Sequence, residues 1–246
     1  VNTEEFLEIS ETHRGWIDAY PAMSGWCAPE TLYATAALTF KVLTSGIAGN
    51  LCECGVAAGA HPGVMHYCMR FTGQFRKIFL FDSFEGIPMA TQEDIPSEQY
   101  EGDDIRKAGV GLAAAGEPLR SSGITCIPIE ETKRRMERWG AVSSDLVYVK
   151  GWFQNTVPVT DTGPLAILRL DGDLYGSTKV CLEHLYPKLV PGGFCILDDW
   201  HLAGERRAVR EYFNDYDEDE STLPEVVEIP PIRGNPCPVF WRKPIR

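Results

Sequence analysis

Apolar residues along this chain fall into short, nearly unbroken runs that alternate with longer amphipathic stretches. That is the pattern of buried parallel strands separated by helices. N-L-C-E-C-G-V at 50–56 reads as a strand that breaks at Gly55, and G-V-M-H-Y-C-M-R-F at 63–71 as the helix behind it. K-I-F-L-F-D-S at 77–83 is a second strand ending in an acid, and L-V-Y-V-K-G-W at 146–152 is a third. L-A-I-L-R-L at 165–170 and G-F-C-I-L at 193–197 are the fourth and fifth, with a helix predicted over 178–189 between them and another over 205–213. Ahead of all these, T-L-Y-A-T-A-A-L-T-F-K-V-L-T at 31–44 has apolar residues at helical spacing with Pro29 at its entry, and E-E-T-K-R-R-M-E-R-W at 130–139 reads as a charged surface helix.

This alternation predicts an α/β fold, a doubly wound, Rossmann-like sheet with helices on both faces. The last two predicted strands, V-V-E-I-P and P-V-F-W-R-K, are too close in sequence for a crossover helix and are expected to pair antiparallel. Residues 85–123 break the pattern, being rich in polar residues, Gly and Pro. A connection of that length is either a lid or substrate insert, or a surface excursion with a short helix near Arg106 to Ala115. A single domain over 1–246 is expected, with a helical N-terminal segment over about 1–48.

Composition narrows the function. With 23 basic against 35 acidic residues the net charge is −12, which disfavours nucleic acid and anionic membrane surfaces as partners. No apolar run approaches the roughly 20 residues of a membrane span, and the first residues lack the features of an export signal, so a cytoplasmic location is expected. The eight cysteines include no C-x-x-C pair and sit mostly inside apolar segments, as small buried hydrophobes rather than disulfide partners or zinc ligands.

The candidate chemistry lies at the strand ends. Asp171 and Asp173 follow the fourth strand, and Asp198 and Asp199 follow the fifth. Neighbouring parallel strands bring their carboxyl ends to one sheet edge, so four carboxylates are expected to meet there. Such a concentration of like charge calls for a cation or a proton, which points to a divalent-metal site beside a general base. The plain alternative makes one pair caps of the next helix and the other a solvated turn. Glu53-Cys54-Gly55-Val56-Ala57-Ala58-Gly59 closes a strand and opens a helix, and its glycines let a ligand approach the backbone. Asp82, ending the next strand, is placed to accept the hydroxyls of a ribose. With no phosphate-binding lysine or basic cradle nearby, an adenosine-bearing ligand without phosphates fits best. His201 is a second candidate base or substrate contact, and Trp26, Tyr100, Trp152, Tyr175 and Trp200 are candidate stacking faces. Glu183, His184 and Tyr186 are assigned to helix surface and packing.

Taken together, E-C-G-V-x-x-G, D-S-F-E-G-I-P, K-G-W-F-x-x-T-V-P, L-R-L-D-G-D-L-Y-x-S-T and P-G-G-F-x-I-L-D-D-W resemble the macrocin-type sugar O-methyltransferases, in the same order from about Glu30 to Lys243. The resemblance implies a seven-stranded methyltransferase sheet with an antiparallel last strand. It also implies S-adenosyl-L-methionine and Mg2+ as cofactors, and a small-molecule glycoside or sugar as substrate. Carried over, it implies that Glu53, Gly55 and Gly59 line the methionine and ribose end of the cofactor, and that Asp82 and Ser83 hold the ribose and adenine end with Gly151 and Trp152 nearby. Asp171, Asp198 and Asp199 would ligate the metal, and Asp173 would act as base with Asp171 beside it. Ala57-Ala58, Ala60-His61-Pro62 and the segment 97–129 depart from the family, which leaves the acceptor open. Two other readings stay in view, a metal-dependent catechol or phenol O-methyltransferase and a non-catalytic scaffold that binds an adenosine ligand. The apolar N-terminal helix and W-I-D-A-Y-P-A-M-S-G-W suggest a homodimer surface or a pocket wall.

Overall fold

The structure, a computed structural model, describes residues 8–19, 27–215, 221–229 and 238–245. A seven-stranded sheet runs in the order β3-β2-β1-β4-β5-β7-β6. Its strands are β1 (Asn50–Cys54), β2 (Ile78–Asp82), β3 (Leu146–Lys150), β4 (Leu165–Leu170), β5 (Leu189–Leu197), β6 (Val227–Glu228) and β7 (Val239–Arg242). The first five are parallel, whereas β7 lies antiparallel between β5 and β6. The two final strands therefore pair as their short connection requires.

Helices α1 (Glu11–Asp18), α2 (Pro29–Thr44), α3 (Ala60–Thr72), α4 (Ile129–Arg138), α5 (Phe153–Thr156), α6 (Tyr175–Leu185) and α7 (Ala203–Phe213) flank the sheet. Two apolar cores result, one on each face. Leu32, Leu38, Val64, Met65 and Met69 of α2 and α3 pack on one side with Leu51, Leu80, Ile167 and Ile196, while Cys181, Leu182, Leu185, Val209 and Phe213 of α6 and α7 pack on the other with Phe81, Leu168, Leu170 and Leu197. Residues of β4 feed both cores, Ala166 and Ile167 one and Leu165, Leu168 and Leu170 the other, which is why the strand reads as a continuous apolar run rather than an alternation. Strand order reverses between β1 and β4, and at such a switch point the loops leaving the two strands part to form a crevice.

The segment 85–123 contains no α-helix. The helix expected near Arg106 to Ala115 is a single 3-10 turn, Ile105–Ala108, ended by Gly109 in the left-handed region at φ 90°. The residues beyond it extend instead and pair through isolated bridges, Ala90 with Leu112 and Pro88 with Ser121. Ala90, Ile105 and Val110 form a small core of their own with Leu174 and Leu202, which fastens the segment over the starts of α6 and α7. Helix α6 begins at Tyr175, three residues before its predicted start, because the buried Asp94 carboxylate accepts the Tyr175 N–H at 2.6 Å and caps the helix from a distance. The cysteines among the described residues are all free, five of them buried and Cys126 exposed, while Cys237 lies outside. No helix among these residues is long and apolar enough to cross a membrane.

Candidate active site

The crevice at the switch point is a single pocket. Gly55 and Ala57 from the loop after β1, Asp82 and Ser83 from the end of β2, Trp152, Phe153 and Gln154 from the end of β3 and α5, and Asp171, Gly172, Asp173, Asp198 and Asp199 from the ends of β4 and β5 all line it. Gly86, Ile87, Pro88 and Thr125 close one side, and Ser177 of α6 completes the wall.

The loop after β1 is held closely. Gly55 has φ 96°, and a Cβ there would run into the carbonyl of Asp171, whose N–H donates to Cys54 O at 2.9 Å. Asp82 braces the same loop, its Oδ2 accepting the N–H groups of Val56 at 2.8 Å and Ala57 at 2.9 Å while Oδ1 accepts that of Phe84 at 2.6 Å. Burial raises the Asp82 carboxyl against the pull of these three donors. Thr132 of α4 donates to Ala57 O at 2.7 Å from the other side. Ala57, Phe84, Thr125 and Asp173 have φ between 43° and 59° without being glycines, and three of them face the pocket. Left-handed backbone at ordinary residues is strain of the kind that gathers at functional sites.

At the acidic end, Asp171, Asp173 and Asp199 each offer a carboxylate oxygen, all within 4.8 Å of one another. Asp198 is turned toward Arg169, whose Nη2 donates to its Oδ1. Neither pair acts as a helix cap, because no side chain caps α6 at Leu174, and Asp199 Oδ2 is buried without a partner rather than solvated. Burial and the neighbouring acids hold Asp173 and Asp199 well above the usual carboxylate range. Burial also raises Asp198, to about 6, against the attraction of Arg169. A further carboxylate, Glu205 of α7, stands fully buried behind the cluster with Oε2 unpartnered and Oε1 accepting from Thr178 at 3.2 Å. Partly buried carboxylates whose oxygens converge, one of them Asp199 Oδ2 without a donor, form a hard-oxygen set suited to a divalent cation such as magnesium.

The chain belongs to the macrocin O-methyltransferase (TylF) family. The family's pattern matches residues 28–243, nearly the whole of the described fold. The tetracenomycin 4'-O-methyltransferase of Streptomyces olivaceus is 35% identical over 71% of this chain and 62% of its own length. The mycinamicin III 3''-O-methyltransferase of Micromonospora griseorubida is 30% identical over 82% of this chain and 72% of its own. A third relative, the demethyldecarbamoylnovobiocin O-methyltransferase of Streptomyces niveus, is 32% identical over 72% and 62%. The match thus spans less than two thirds of two of these enzymes. Among solved structures, the O-methyltransferase NovP superposes with a TM-score of 0.69 at 26% identity, covering 89% of this chain and 81% of that one.

In this member of the TylF family, Gly55, Asp82, Ser83, Trp152 and the four aspartates line the pocket, whereas Glu53, Gly59 and Gly151 do not. Gly59 starts α3 in the left-handed conformation and packs against Met136, Gly151 donates its N–H to Asp82 O at 2.9 Å, and Glu53 is buried against Arg169. Tyr100 and Tyr175 are engaged outside the pocket, both hydroxyls donating to Glu211 with Arg207 stacked over both rings. Trp200 lies under Arg206, and His201, half-buried, has a partnerless Nδ1 and does not reach the pocket wall. Trp26 lies outside the described residues. Glu183 and His184 are exposed on α6, and Tyr186 packs inward and accepts from Trp241 Nε1 at 3.3 Å, as assigned.

Sequence reasoning passed over four contributors. Ile87, Pro88 and Thr125 reach the pocket from a stretch with no periodicity to read. Arg169 was visible as the one charge inside a six-residue apolar strand, and a buried guanidinium in such a strand must face acids.

Proposed function

We propose that this protein is an S-adenosylmethionine- and divalent-metal-dependent O-methyltransferase that methylates a sugar hydroxyl of a glycosylated natural product or its sugar precursor. The observation that carries this reading is the single pocket in which the glycine loop and the Asp82 strand end meet the aspartate cluster. Relatives named for methylating a rhamnosyl-tetracenomycin, mycinamicin III and demethyldecarbamoylnovobiocin support the substrate class.

When bound, S-adenosylmethionine would supply the electrophilic methyl, and a magnesium ion held by Asp171, Asp198 and Asp199 would stabilise negative charge developing on the acceptor oxygen. The chain's own residues do the rest. Gly55 and Ala57 let the donor approach the backbone, and Trp152, Phe153, Ile87 and Pro88 wall it from water. Asp173, beside Asp171 and Asp199 in the same pocket, receives the hydroxyl proton as the general base. Holding donor and acceptor in one pocket contributes through positioning, which in well-oriented systems is worth roughly 7–11 kcal/mol. A phenol would need less activation than a sugar hydroxyl, and the number of acids gathered here favours the harder substrate.

The test is methyl transfer from labelled cofactor to a panel of glycosides, nucleotide sugars and catechols. A glycoside or nucleotide sugar is expected to be methylated, with turnover lost in excess chelator and restored by Mg2+. Transfer to catechols alone, or full turnover in chelator, would overturn the reading. The glycine loop and the acids lie on different strands, but those strands are neighbours and Arg169 bridges them, so chelation is expected to weaken cofactor binding slightly rather than leave it untouched.

A further inference from the structure

Glu53 and Arg169 are register partners in the parallel pair of β1 and β4, and both are fully buried. Arg169 Nη1 donates to Glu53 Oε1 and to Asp171 Oδ2, each at 2.8 Å, and Nη2 donates to Asp198 Oδ1. One planar guanidinium thereby ties together acids from three adjacent strands, a task its rigid fork suits and a lysine cannot reproduce. Glu53, by contrast, does not line the pocket. Its Oε1 bonds Arg169 and its Oε2 has no partner among the described residues, so its hold on the aspartates runs through that guanidinium.

We infer that Glu53 is a positioning residue for the aspartate cluster rather than a contact to the cofactor: by accepting from Nη1 it fixes how Arg169 holds Asp171 and Asp198, and so sets the site's affinity for its divalent cation. The inference rests on the metal-dependent reading above and deepens it. Arg169 and a divalent cation draw on the same carboxylate oxygens. With Glu53 in place, Nη1 is shared between two acceptors and its hold on Asp171 is limited. Without that acceptor, the guanidinium is free to close on Asp171 and Asp198 and compete with the cation. Partners one shell removed from a metal commonly change its affinity by about 10–100-fold when lost.

The experiment compares Glu53→Met, which fills the space but accepts nothing, with Glu53→Gln, whose carbonyl still accepts from Nη1. Free Mn2+ is counted by electron paramagnetic resonance, and S-adenosylhomocysteine binding is followed by calorimetry. Glu53→Met is expected to weaken Mn2+ binding about tenfold while changing S-adenosylhomocysteine affinity less than threefold, and Glu53→Gln to recover most of the Mn2+ affinity. The reverse split, with nucleoside affinity falling and Mn2+ affinity unchanged, would overturn the inference, as would a Gln variant no better than the Met variant. Should Glu53→Met fail to fold alone, it is made together with Arg169→Met, which leaves no unpaired buried charge; Mn2+ affinity is then expected to equal that of Arg169→Met, and a further loss on removing Glu53 overturns the inference. Neither readout needs turnover, so wild-type protein that binds no Mn2+ refutes the metal reading itself. Wild-type protein that binds Mn2+ with indifferent variants refutes only the role given to Glu53.

Discussion

Asp173 combines a left-handed backbone with a place among the converging carboxylates, and each has a consequence that can be measured. At φ 59° asparagine is as comfortable as aspartate, so Asp173→Asn removes the charge with little cost to the backbone. Turnover is expected to fall by about 10²–10⁴-fold, the usual worth of a general base, with S-adenosylhomocysteine affinity retained in calorimetry. Gly55 is the opposite case, because an added methyl group meets both an unfavourable φ and the Asp171 carbonyl. Gly55→Ala is expected to lose cofactor binding and to lower stability by about 1–3 kcal/mol or more, read from chemical denaturation. The four aspartates were legible from sequence because each pair closes an apolar strand. Their division of labour was not, since which three oxygens converge depends on where Arg169 turns Asp198, a contact between strands with no trace in spacing. Asp82 shows the same limit: its position at a strand end was readable, but its three bonds to backbone amides were not.

At the scale of elements, α3 and the insert carry separate tests. His61, in the first turn of α3, is buried between Thr35 Oγ1 at 2.9 Å and Cys27 Sγ at 3.2 Å, and burial holds it well below its ordinary value. A histidine kept neutral when folded but free to take a proton when unfolded adds its full stability above about pH 6.5. That contribution is lost as pH falls below 6.5, by up to about 1.4 kcal/mol per pH unit. Against His61→Gln, which shares every other titrating group, the stability advantage of the native protein is expected to shrink between pH 7.5 and pH 5.5. An advantage independent of pH would contradict the assignment. In the insert, Asp94 ties Thr91 N–H and the start of α6 together. Asp94→Ala is expected to hasten proteolysis within 85–123 and to weaken S-adenosylhomocysteine binding, since Ile87 and Pro88 of that segment line the pocket. Strands and helices with clear periodicity were legible to within a few residues. The insert was not, because its order comes from a small separate core and isolated bridges rather than from a repeating pattern.

For the whole molecule, the arrangement follows from topology. Parallel strands with helical crossovers bring every loop of interest to one edge, and the reversal of strand order between β1 and β4 opens the crevice where the donor loop faces the acids. Alternating elements and a short final connection foretold a doubly wound sheet with an antiparallel end, in agreement with the family resemblance, whereas the order of the strands came only with the structure. The central claim is that a methyl donor and a divalent cation occupy this one pocket together. It is tested most directly by the nuclear relaxation of S-adenosylmethionine carrying a ¹³C-labelled methyl group, bound to the protein with Mn2+. Strong broadening of the methyl signal is expected, reversed when Mg2+ displaces Mn2+ and absent in Asp199→Asn. A methyl signal unaffected by Mn2+ that is demonstrably bound would contradict the account.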